Sequence, residues 1–361
     1  MISGGGTGGH IFPAIAIAKA LQEADRDAEF LFVGAKGRME MDKVPDAGFK
    51  IEGLWISGLQ RRLTMKNVMF PVKLVSSLVR ARRLISKFKP DVVIGVGGYA
   101  SGPLLRVATG RKIPSLIQEQ NSFPGITNRL LAKRVDRICV AYEGMERWFP
   151  KDKTVLTGNP IRQEVTKLEG KRPRAIEHFN LQEDRPTLLV VGGSLGALSI
   201  NEGLAVGLVK LNQAGVQVIW QTGKTFYGIA TKMVEQKSLD NVKVHEFIGR
   251  MDLAYAVADL VISRAGAISI SELSAIQKPA ILVPSPHVAE DHQTKNAMAL
   301  VNSKAALLVK DSDTKAKLVK TALDTLLDGQ LMDELKSNIG RMARHNAADA
   351  IAAEVMRLVK N

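Results

Sequence analysis

The sequence predicts an α/β fold of two doubly wound domains, each built on a parallel sheet with helices on both faces. Three observations support this prediction. Short apolar runs rich in Val and Ile recur along the 361 residues, and most of them end in Gly, Asn or a polar loop. Helical patterns such as "VKLVSSLVRARRLISKF" separate these runs, and near the middle of the chain the order strand, glycine turn, helix starts again. This alternation is typical of buried parallel strands joined by crossover helices.

The first half contains four clear strand candidates: "AEFLFVG", "DVVIGVGG", "IPSLIQEQN" and "RVDRICVAY". A shorter one precedes them, because only Ile2 and Ser3 come before the first glycines, whereas a strand usually has about five residues. Either the edge of the first sheet is short, or the sequence begins inside a longer strand. Cys139, the single cysteine, lies in the last run, which predicts a buried packing role and excludes a disulfide framework.

The second half repeats the pattern with "PTLLVVGG", "VQVIWQTG", "VKVHEFI", "ADLVISRAG" and "KPAILVPSPH". Gly-Asn-Pro at 158–160 marks a break between the halves. An Ala-rich tail after Arg341 predicts a last helix. We therefore expect domains at 1–161 and 162–342, followed by a helical segment at 343–361.

The charge of the chain favours an anionic partner. The formal net charge is +14, and nine Lys and Arg residues occur between Gln60 and Pro90 without any Asp or Glu. Aromatic residues make up only 5% and do not alternate with basic ones, so a nucleic-acid partner is not expected. The first residues lack a signal-peptide pattern, and no stretch approaches about 20 apolar residues. The sequence thus predicts a cytosolic or peripheral membrane protein.

The opening "GGGTGGH" is a glycine-rich turn that ends in His10. Its backbone N–H groups can approach a phosphate, and we expect a helix that begins near Pro13 to point its positive end at the turn. No Lys follows, so the turn is not a P-loop, and the "FLFVGAKGRMEMDK" stretch has no acidic residue at the tip of its strand, where a dinucleotide site needs one. His10 is either a general base or a histidine that caps the helix without taking part in catalysis.

Two further turns in the second half suggest a diphosphate site. In "VVGGSLGA" the backbone N–H groups and the Ser194 hydroxyl can bind an anion, and in "SRAGAISISEL" a second turn opens another helix. Glu272, one and a half turns into that helix, either accepts hydrogen bonds from a ribose diol or only stabilises the helix dipole.

A proline-rich loop, "PSPHVAEDHQTKNA", brings His292 and Gln293 to the strand ends, where open α/β sheets bind ligands. The spacing of His287, Glu290, Asp291 and His292 fits no standard zinc pattern. We therefore expect neither a metal nor a cofactor.

Taken together, the motifs resemble one family. "GGGTGGHIFPA", "GVGGYASGP", "QEQNSFPGITN", "GNPIR", "VVGGSLGA", "SRAGAISISE" and "EDHQ" resemble, in order and place, the motifs of the bacterial cell-wall glycosyltransferases that form lipid II. The resemblance covers essentially the whole chain. It implies the GT-B fold, with two Rossmann-like domains that face a central cleft and a C-terminal helix that returns to the first domain.

The resemblance also implies the reaction: inverting, metal-independent transfer of N-acetylglucosamine from UDP-N-acetylglucosamine to the C4 hydroxyl of the MurNAc moiety of lipid I. His10 is the first candidate base and Glu119 the second, while Tyr99 and Asn121 are expected to line the acceptor cleft. At the position of Gln118, members of this family often have a His. By motif position, the donor contacts fall on Thr7, Gly8, Gly9, Asn121, Arg162, Ser194, Ile248, Ala267, Ile268, Ser269, Ile270, Ser271, Glu272 and Gln293, with His292 beside the last.

A membrane-bound acceptor requires a membrane-binding surface. Phe70, Leu74 and Leu78 recur at helical spacing, with Lys73 and Arg80 on a flank of the same helix. This pattern fits either an amphipathic helix on anionic lipid or a helix that faces the core. We expect a peripheral protein at the cytoplasmic face of the cell membrane, with cell-wall synthesis and division proteins as further partners.

Three other functions remain open at this point. A UDP-N-acetylglucosamine 2-epimerase shares the GT-B architecture but does not need a basic amphipathic helix. A glycosyltransferase that acts on diacylglycerol would need one. A non-catalytic sugar-nucleotide-binding subunit is disfavoured because His10, Glu272 and Gln293 occur together.

Overall fold

A computed structural model describes residues 1–58 and 69–360. The chain forms two compact units. The first consists of residues 1–161 together with 344–361, and the second of residues 162–343. Each unit is built on a single parallel sheet. When the strands are numbered within each unit, the second sheet has the order 3-2-1-4-5-6, and the first sheet has the same order with a seventh strand added at the edge.

The first unit has a seven-stranded sheet in the order β3-β2-β1-β4-β5-β6-β7. Every strand pairs in parallel with its neighbours. The strands are β1 (Ile2–Ser3), β2 (Phe32–Ala35), β3 (Ile51–Leu54), β4 (Val93–Gly95), β5 (Ser115–Glu119), β6 (Arg137–Val140) and β7 (Thr154–Leu156). The helices are α1 (Gly8–Ala24), α2 (Glu40–Asp46), α3 (Phe70–Phe88), α4 (Ser101–Gly110), α5 (Ile126–Leu131) and, from the end of the chain, α15 (Ala347–Lys360).

Strand β1 is short but central. It has only two residues, yet Ile2 pairs with Phe32 of β2 on one side and with Ile94 of β4 on the other. Of the two alternatives that the sequence left open, a shortened edge of the sheet is therefore excluded. A two-residue strand can hold the centre because neighbours on both sides supply hydrogen bonds and Ile2 is buried.

Helix α1 begins earlier than the sequence suggested. It starts at Gly8 rather than near Pro13, which lies inside the helix. His10 is therefore in the first helical turn and not at the tip of a loop. The first N–H groups of a helix have no partner within it, so glycines at this position leave those donors available to a ligand.

Cys139 lies on β6 and is completely buried, as predicted. Burial raises the pKa of its thiol to about 12, which removes the thiolate needed for nucleophilic or redox chemistry. The cysteine packs with residues of α1 and α15 in one apolar cluster.

The structure corrects the prediction that the apolar face of α3 contacts the membrane. On the same helix face, Ala81 and Ile85 are buried and Phe70 packs against the core, while Leu74 and Leu78 are half-buried. Sequence periodicity identifies an apolar face but not what covers it, and here most of that face covers the sheet.

A different set of apolar residues is exposed on α3: Val72, Val75 and Val79. Much of the basic stretch at 60–90 also lies on α3, whereas its residues 60–68 lie outside the described part of the chain. Across residues 1–58 and 69–360, no helix combines the length and the apolar character that crossing a bilayer requires.

The second unit has a six-stranded parallel sheet in the order β10-β9-β8-β11-β12-β13. The strands are β8 (Thr187–Val191), β9 (Gln217–Gln221), β10 (Val242–His245), β11 (Leu260–Ser263), β12 (Ala280–Leu282) and β13 (Leu307–Leu308). The helices are α6 (Gln163–Thr166), α7 (Arg172–Phe179), α8 (Leu198–Gln213), α9 (Lys224–Gln236), α10 (Met251–Val257), α11 (Ala267–Ala275), α12 (His292–Val301), α13 (Thr314–Leu327) and α14 (Gly329–Arg341).

In both units the loops after the carboxyl ends of the strands carry the residues that the sequence analysis singled out. The chain reverses its winding beside β1 in the first unit and beside β8 in the second, because β1 lies between β2 and β4 and β8 lies between β9 and β11. Open α/β sheets bind ligands at such points. The loop after β1 is the glycine turn that leads into α1 and His10, and the loop after β8 is the glycine turn that contains Ser194.

Candidate functional site

The glycine turn of the first unit holds His10 in a defined orientation. Its half-buried ring lies against the backbone of the turn, where Nδ1 is 3.0 Å from the carbonyl oxygen of Gly5. A carbonyl can only accept, so a hydrogen bond at this contact requires the tautomer with the proton on Nδ1, and Thr7 Oγ1 lies 3.4 Å from the same nitrogen. The lone pair of the neutral ring is then on Nε2, which is the tautomer that a base acting through Nε2 requires.

Gly97, in the loop after β4, makes room for the imidazole. A Cβ atom at this position would lie 2.6 Å from Cδ2 and 2.8 Å from Nε2 of His10. Gly97 also has a φ of +95°, which side-chain-bearing residues rarely adopt. The "GVGGYA" motif thus shapes the space around the Nε2 edge of His10.

The carboxylate of Glu119 holds the loop that follows β5. It is almost fully buried, and Oε1 accepts hydrogen bonds from the backbone and side-chain nitrogens of Asn121, at 3.0 and 3.1 Å. Oε2 accepts from the backbone nitrogen of Gly125 at 3.1 Å and from Nδ2 of Asn128 at 2.8 Å. Four donors occupy the carboxylate, so its geometry favours a positioning role over that of a base.

Asn121 and Tyr99 are expected to line the acceptor site. Asn121 lies in the loop after β5, and Tyr99 packs against Gly58 in the segment after β3. Asn121 is fixed by Glu119, as described above, and Tyr99 is about half exposed. The Tyr99 ring lies over the backbone of Gly58, where a Cβ atom would come within 2.3 Å of it. The tyrosine therefore offers an exposed aromatic surface beside the His10 turn.

In the second unit, one buried amide connects two loops of the expected donor site. Gln221, at the end of β9, donates from Nε2 to the carbonyl of Gly193 at 2.9 Å. Its Oε1 accepts from the backbone nitrogen of Ile248 at 2.8 Å. Gln221 therefore fixes the turn that exposes Ser194 relative to the loop that contains Ile248.

Glu272 lies on α11 and is buried, with only 5% of its surface exposed. Its Oε1 accepts from Nη2 and Nε of Arg162, at 3.1 and 3.3 Å, and its Oε2 accepts from the hydroxyl of Tyr255 at 3.2 Å. Burial raises the pKa of the Glu272 carboxyl, and Arg162 and Tyr255 oppose this shift. Arg162 and Tyr255 hold the buried Glu272 carboxylate in place. The Arg162 side chain is about half exposed, so this carboxylate lies close to the surface.

The N-terminal turn of α11 presents its backbone donors next to this carboxylate. The turn comprises Ala267, Ile268 and Ser269, whose backbone N–H groups precede the first complete helical bond. Ile270 is buried in the core, and Ser271 donates its hydroxyl to the carbonyl of Ala267 at 3.0 Å. Within the predicted stretch 267–272, the first three residues carry backbone N–H groups without a helical partner, whereas Ile270 and Ser271 support the helix itself.

Gln293 and His292 begin α12 at the end of a strained loop. Glu290 and Asp291 both have a φ of +54°, a conformation that costs free energy for residues other than glycine. Gln293 accepts from the backbone nitrogen of Ser285 at 2.8 Å, so it joins both ends of the loop after β12. Nε2 of His292 lies 3.6 Å from Glu290 Oε2.

The face formed by α3 and α4 contains a basic pocket. A cavity of about 350 Å³ is lined by Leu78, Val79, Val107, Gly110 and three arginines, Arg82, Arg106 and Arg111. Lys73 and Arg80, which the sequence analysis assigned to the membrane, instead have partners beside β3. Lys73 donates to Ser57 at 3.0 Å, and Arg80 pairs with Glu52 at 2.7 Å.

Four residues around these sites were not identified from the sequence: Gly97, Gln221, Tyr255 and Glu40, which accepts a hydrogen bond from the Gly6 nitrogen of the glycine turn. Gly97 belongs to a motif that was quoted, but nothing local shows that it faces His10. The other three act through partners far away in the sequence, so no spacing pattern identifies them.

Comparison with known proteins defines the class. The N-terminal domain of glycosyltransferase family 28 matches residues 1–140, and the C-terminal domain of that family matches residues 187–353. The crystal structure of MurG from Acinetobacter baumannii superimposes with a TM-score of 0.80 at 29% identity, over 99% of this chain and 98% of that one. The fold and these matches define a glycosyltransferase with the GT-B fold.

Two bacterial relatives are more similar in sequence. Both are named UDP-N-acetylglucosamine–N-acetylmuramyl-(pentapeptide) pyrophosphoryl-undecaprenol N-acetylglucosamine transferase. The Bacteroides thetaiotaomicron protein is 53% identical over 100% of this chain and 97% of its own length. The Parabacteroides distasonis protein is also 53% identical, over 99% and 98%. This chain belongs to glycosyltransferase family 28.

Proposed function

We propose that this enzyme transfers N-acetylglucosamine from UDP-N-acetylglucosamine to the MurNAc C4 hydroxyl of lipid I and thereby forms lipid II in peptidoglycan synthesis. The observation that carries this proposal is the 53% identity, over the whole chain, to a relative named for that transfer. The Glu272 site and the His10 geometry support it independently.

The second unit binds the donor in this proposal. The Ser194 turn and the N-terminal turn of α11 bind the diphosphate through backbone N–H groups, and Glu272 accepts hydrogen bonds from the ribose hydroxyls. Arg162 and Tyr255 hold the Glu272 carboxylate before the donor arrives. The Ile248 loop and Gln293 complete the donor contacts.

The first unit supplies the base. Nε2 of His10 takes the proton from the acceptor hydroxyl while the oxygen forms its bond to C1 of N-acetylglucosamine. The bond from C1 to the UDP oxygen breaks on the opposite face, and UDP leaves with the electron pair. Attack on the opposite face inverts the α-linked donor to a β-linked product. The helix N-terminal turns stabilise the charge that develops on the leaving diphosphate.

A transfer assay tests the proposal directly. Radiolabelled UDP-N-acetylglucosamine is incubated with lipid I or a short-chain analogue, and the product is identified as a β-linked disaccharide lipid. We expect turnover with this acceptor and none with diacylglycerol, and we expect the turnover to persist in EDTA. Release of free N-acetylmannosamine or UDP without disaccharide lipid would instead indicate an epimerase or a hydrolase.

The lipid acceptor also implies a membrane-binding surface on the first unit, at the cytoplasmic face of the membrane. The structure offers Val72, Val75 and Val79 of α3 next to the arginine-lined pocket between α3 and α4. Exposed apolar side chains beside guanidinium groups fit the interface of an anionic bilayer. Contacts with cell-wall synthesis and division proteins stay a prediction.

Replacing Val75 and Val79 together by Glu is expected to weaken binding to anionic vesicles at least about tenfold, because each change removes an apolar anchor and adds a repelled carboxylate. Co-sedimentation with phosphatidylglycerol vesicles measures this. The matched control is Val206→Glu with Ile229→Glu, since both residues are more than half exposed and lie in the second unit. Equal sedimentation of the α3 variant and the wild type would show that this surface does not contact lipid.

A further inference from the structure

A buried carboxylate lies behind the glycine turn. Glu40, the first residue of α2, has no exposed surface. Its Oε1 accepts from the backbone nitrogen of Ala35 at 3.0 Å, and its Oε2 accepts from that of Gly6 at 2.9 Å. Hydrogen bonds to an ionised group are about twice as strong as neutral ones. Glu40 therefore fixes the turn to the end of β2.

The peptide group between Gly5 and Gly6 is bound at both of its polar atoms. Its N–H donates to Glu40, and its carbonyl oxygen accepts the Nδ1 proton of His10. Packing on both sides holds it in place. A Cβ atom on Gly5 would lie 2.2 Å from Oε1 of Glu40, and one on Gly98 would lie 2.4 Å from the Gly5 oxygen.

We propose that Glu40 is a positioning residue for His10 and acts through the Gly5–Gly6 peptide group. This inference rests on the proposed role of His10 as the base. Hydrogen bonds in series polarise one another, so the carboxylate at the N–H end strengthens the carbonyl as an acceptor. The carbonyl then keeps the proton on Nδ1, leaves the lone pair on Nε2, and stabilises the positive ring that forms when the acceptor proton is taken up.

The first test measures the tautomer of His10. Long-range nitrogen–proton NMR correlations of histidine-labelled protein distinguish the two neutral tautomers, and the His10→Ala variant assigns the signal among the six histidines. We expect the Nδ1–H form in the wild type and a larger Nε2–H fraction in Glu40→Gln, whose amide cannot accept at both positions. A dominant Nε2–H form in the wild type would overturn the proposal without any Glu40 variant.

The second test is a double-mutant cycle on kcat. We expect Glu40→Gln to lower kcat about 10- to 100-fold in the wild type, as for other residues that orient a catalytic group, and less than about twofold in the His10→Ala background. UDP binding by the second unit is expected to remain unchanged. Asp46→Asn, on the exposed side of the same helix, is the matched control and is expected to keep both kcat and the tautomer.

The two tests separate the two claims. If His10→Ala retains kcat, the base assignment fails, while a shifted tautomer in Glu40→Gln still supports the coupling between Glu40 and the ring. If Glu40→Gln lowers kcat equally in both backgrounds, or leaves the tautomer unchanged, Glu40 does not act through His10 and the proposal is overturned.

Discussion

Replacing His10 with Ala is expected to lower kcat by about 10²–10⁴-fold while UDP affinity stays nearly unchanged, because general-base catalysis contributes about that factor. The surroundings of His10 support this expectation. The Gly5 carbonyl oxygen lies 3.0 Å from Nδ1 and favours the proton on that nitrogen, and Gly97 has no side chain to cover Nε2. Steady-state kinetics with lipid I and calorimetric UDP titration measure the two quantities.

The control for this variant is His345→Ala, since His345 is an exposed histidine near the end of the chain. If His10 only stabilised the first turn of α1, the alanine variant would lose about 1 kcal/mol of unfolding free energy and keep kcat. Thermal unfolding of both variants distinguishes these outcomes. A near-normal kcat would mean that the base lies elsewhere, and Glu119→Gln would then be measured.

Glu272→Ala is expected to raise KM for the donor by one to two orders of magnitude. In the proposed donor complex the carboxylate accepts two ribose hydroxyls, and hydrogen bonds to a charged group contribute roughly 1.5–3 kcal/mol. The substitution also leaves Arg162 and the buried Tyr255 hydroxyl without their shared partner. We expect the effect mainly in KM and in UDP affinity, with a smaller change in kcat.

A ligand lacking the 2′-hydroxyl makes this prediction specific. If Glu272 binds the ribose, 2′-deoxy-UDP binds the wild type more weakly than UDP does, and Glu272→Ala removes most of the difference. Glu235→Ala, an exposed position on α9, serves as the control. Equal KM values for Glu272→Ala and the wild type would refute the ribose assignment.

Most of the fold could be predicted because the buried strands are continuous apolar runs that end in glycine turns. Strands β3, β7 and β13 were not predicted from the sequence. These three are edge strands, and several of their residues, such as Ile51, Val155 and Leu307, are only partly buried. An edge strand has one neighbour and needs less apolar surface, so its pattern is weak.

The site was predictable only where function follows from local sequence. Turns that open helices, such as those at Ser194 and Gly266, can be read from glycine and strand patterns. The role of Glu40 depends on packing between α2 and the turn after β1, which no local pattern encodes. The apolar face of α3 was assigned to lipid for a related reason, because periodicity alone does not distinguish a membrane from a sheet.

The position of α15 has a consequence for how the chain folds during synthesis. Ile351, Ala352 and Val355 of this helix share an apolar cluster with Ile11 and Ile17 of α1. The ribosome makes α1 near the start and α15 more than 300 residues later. The second unit is contiguous in sequence, whereas the first unit needs α15, made after the second unit, to complete its core. The part of the chain that is made first therefore cannot complete its core until α15 has been made, and until then the apolar side of α1 lacks this cover.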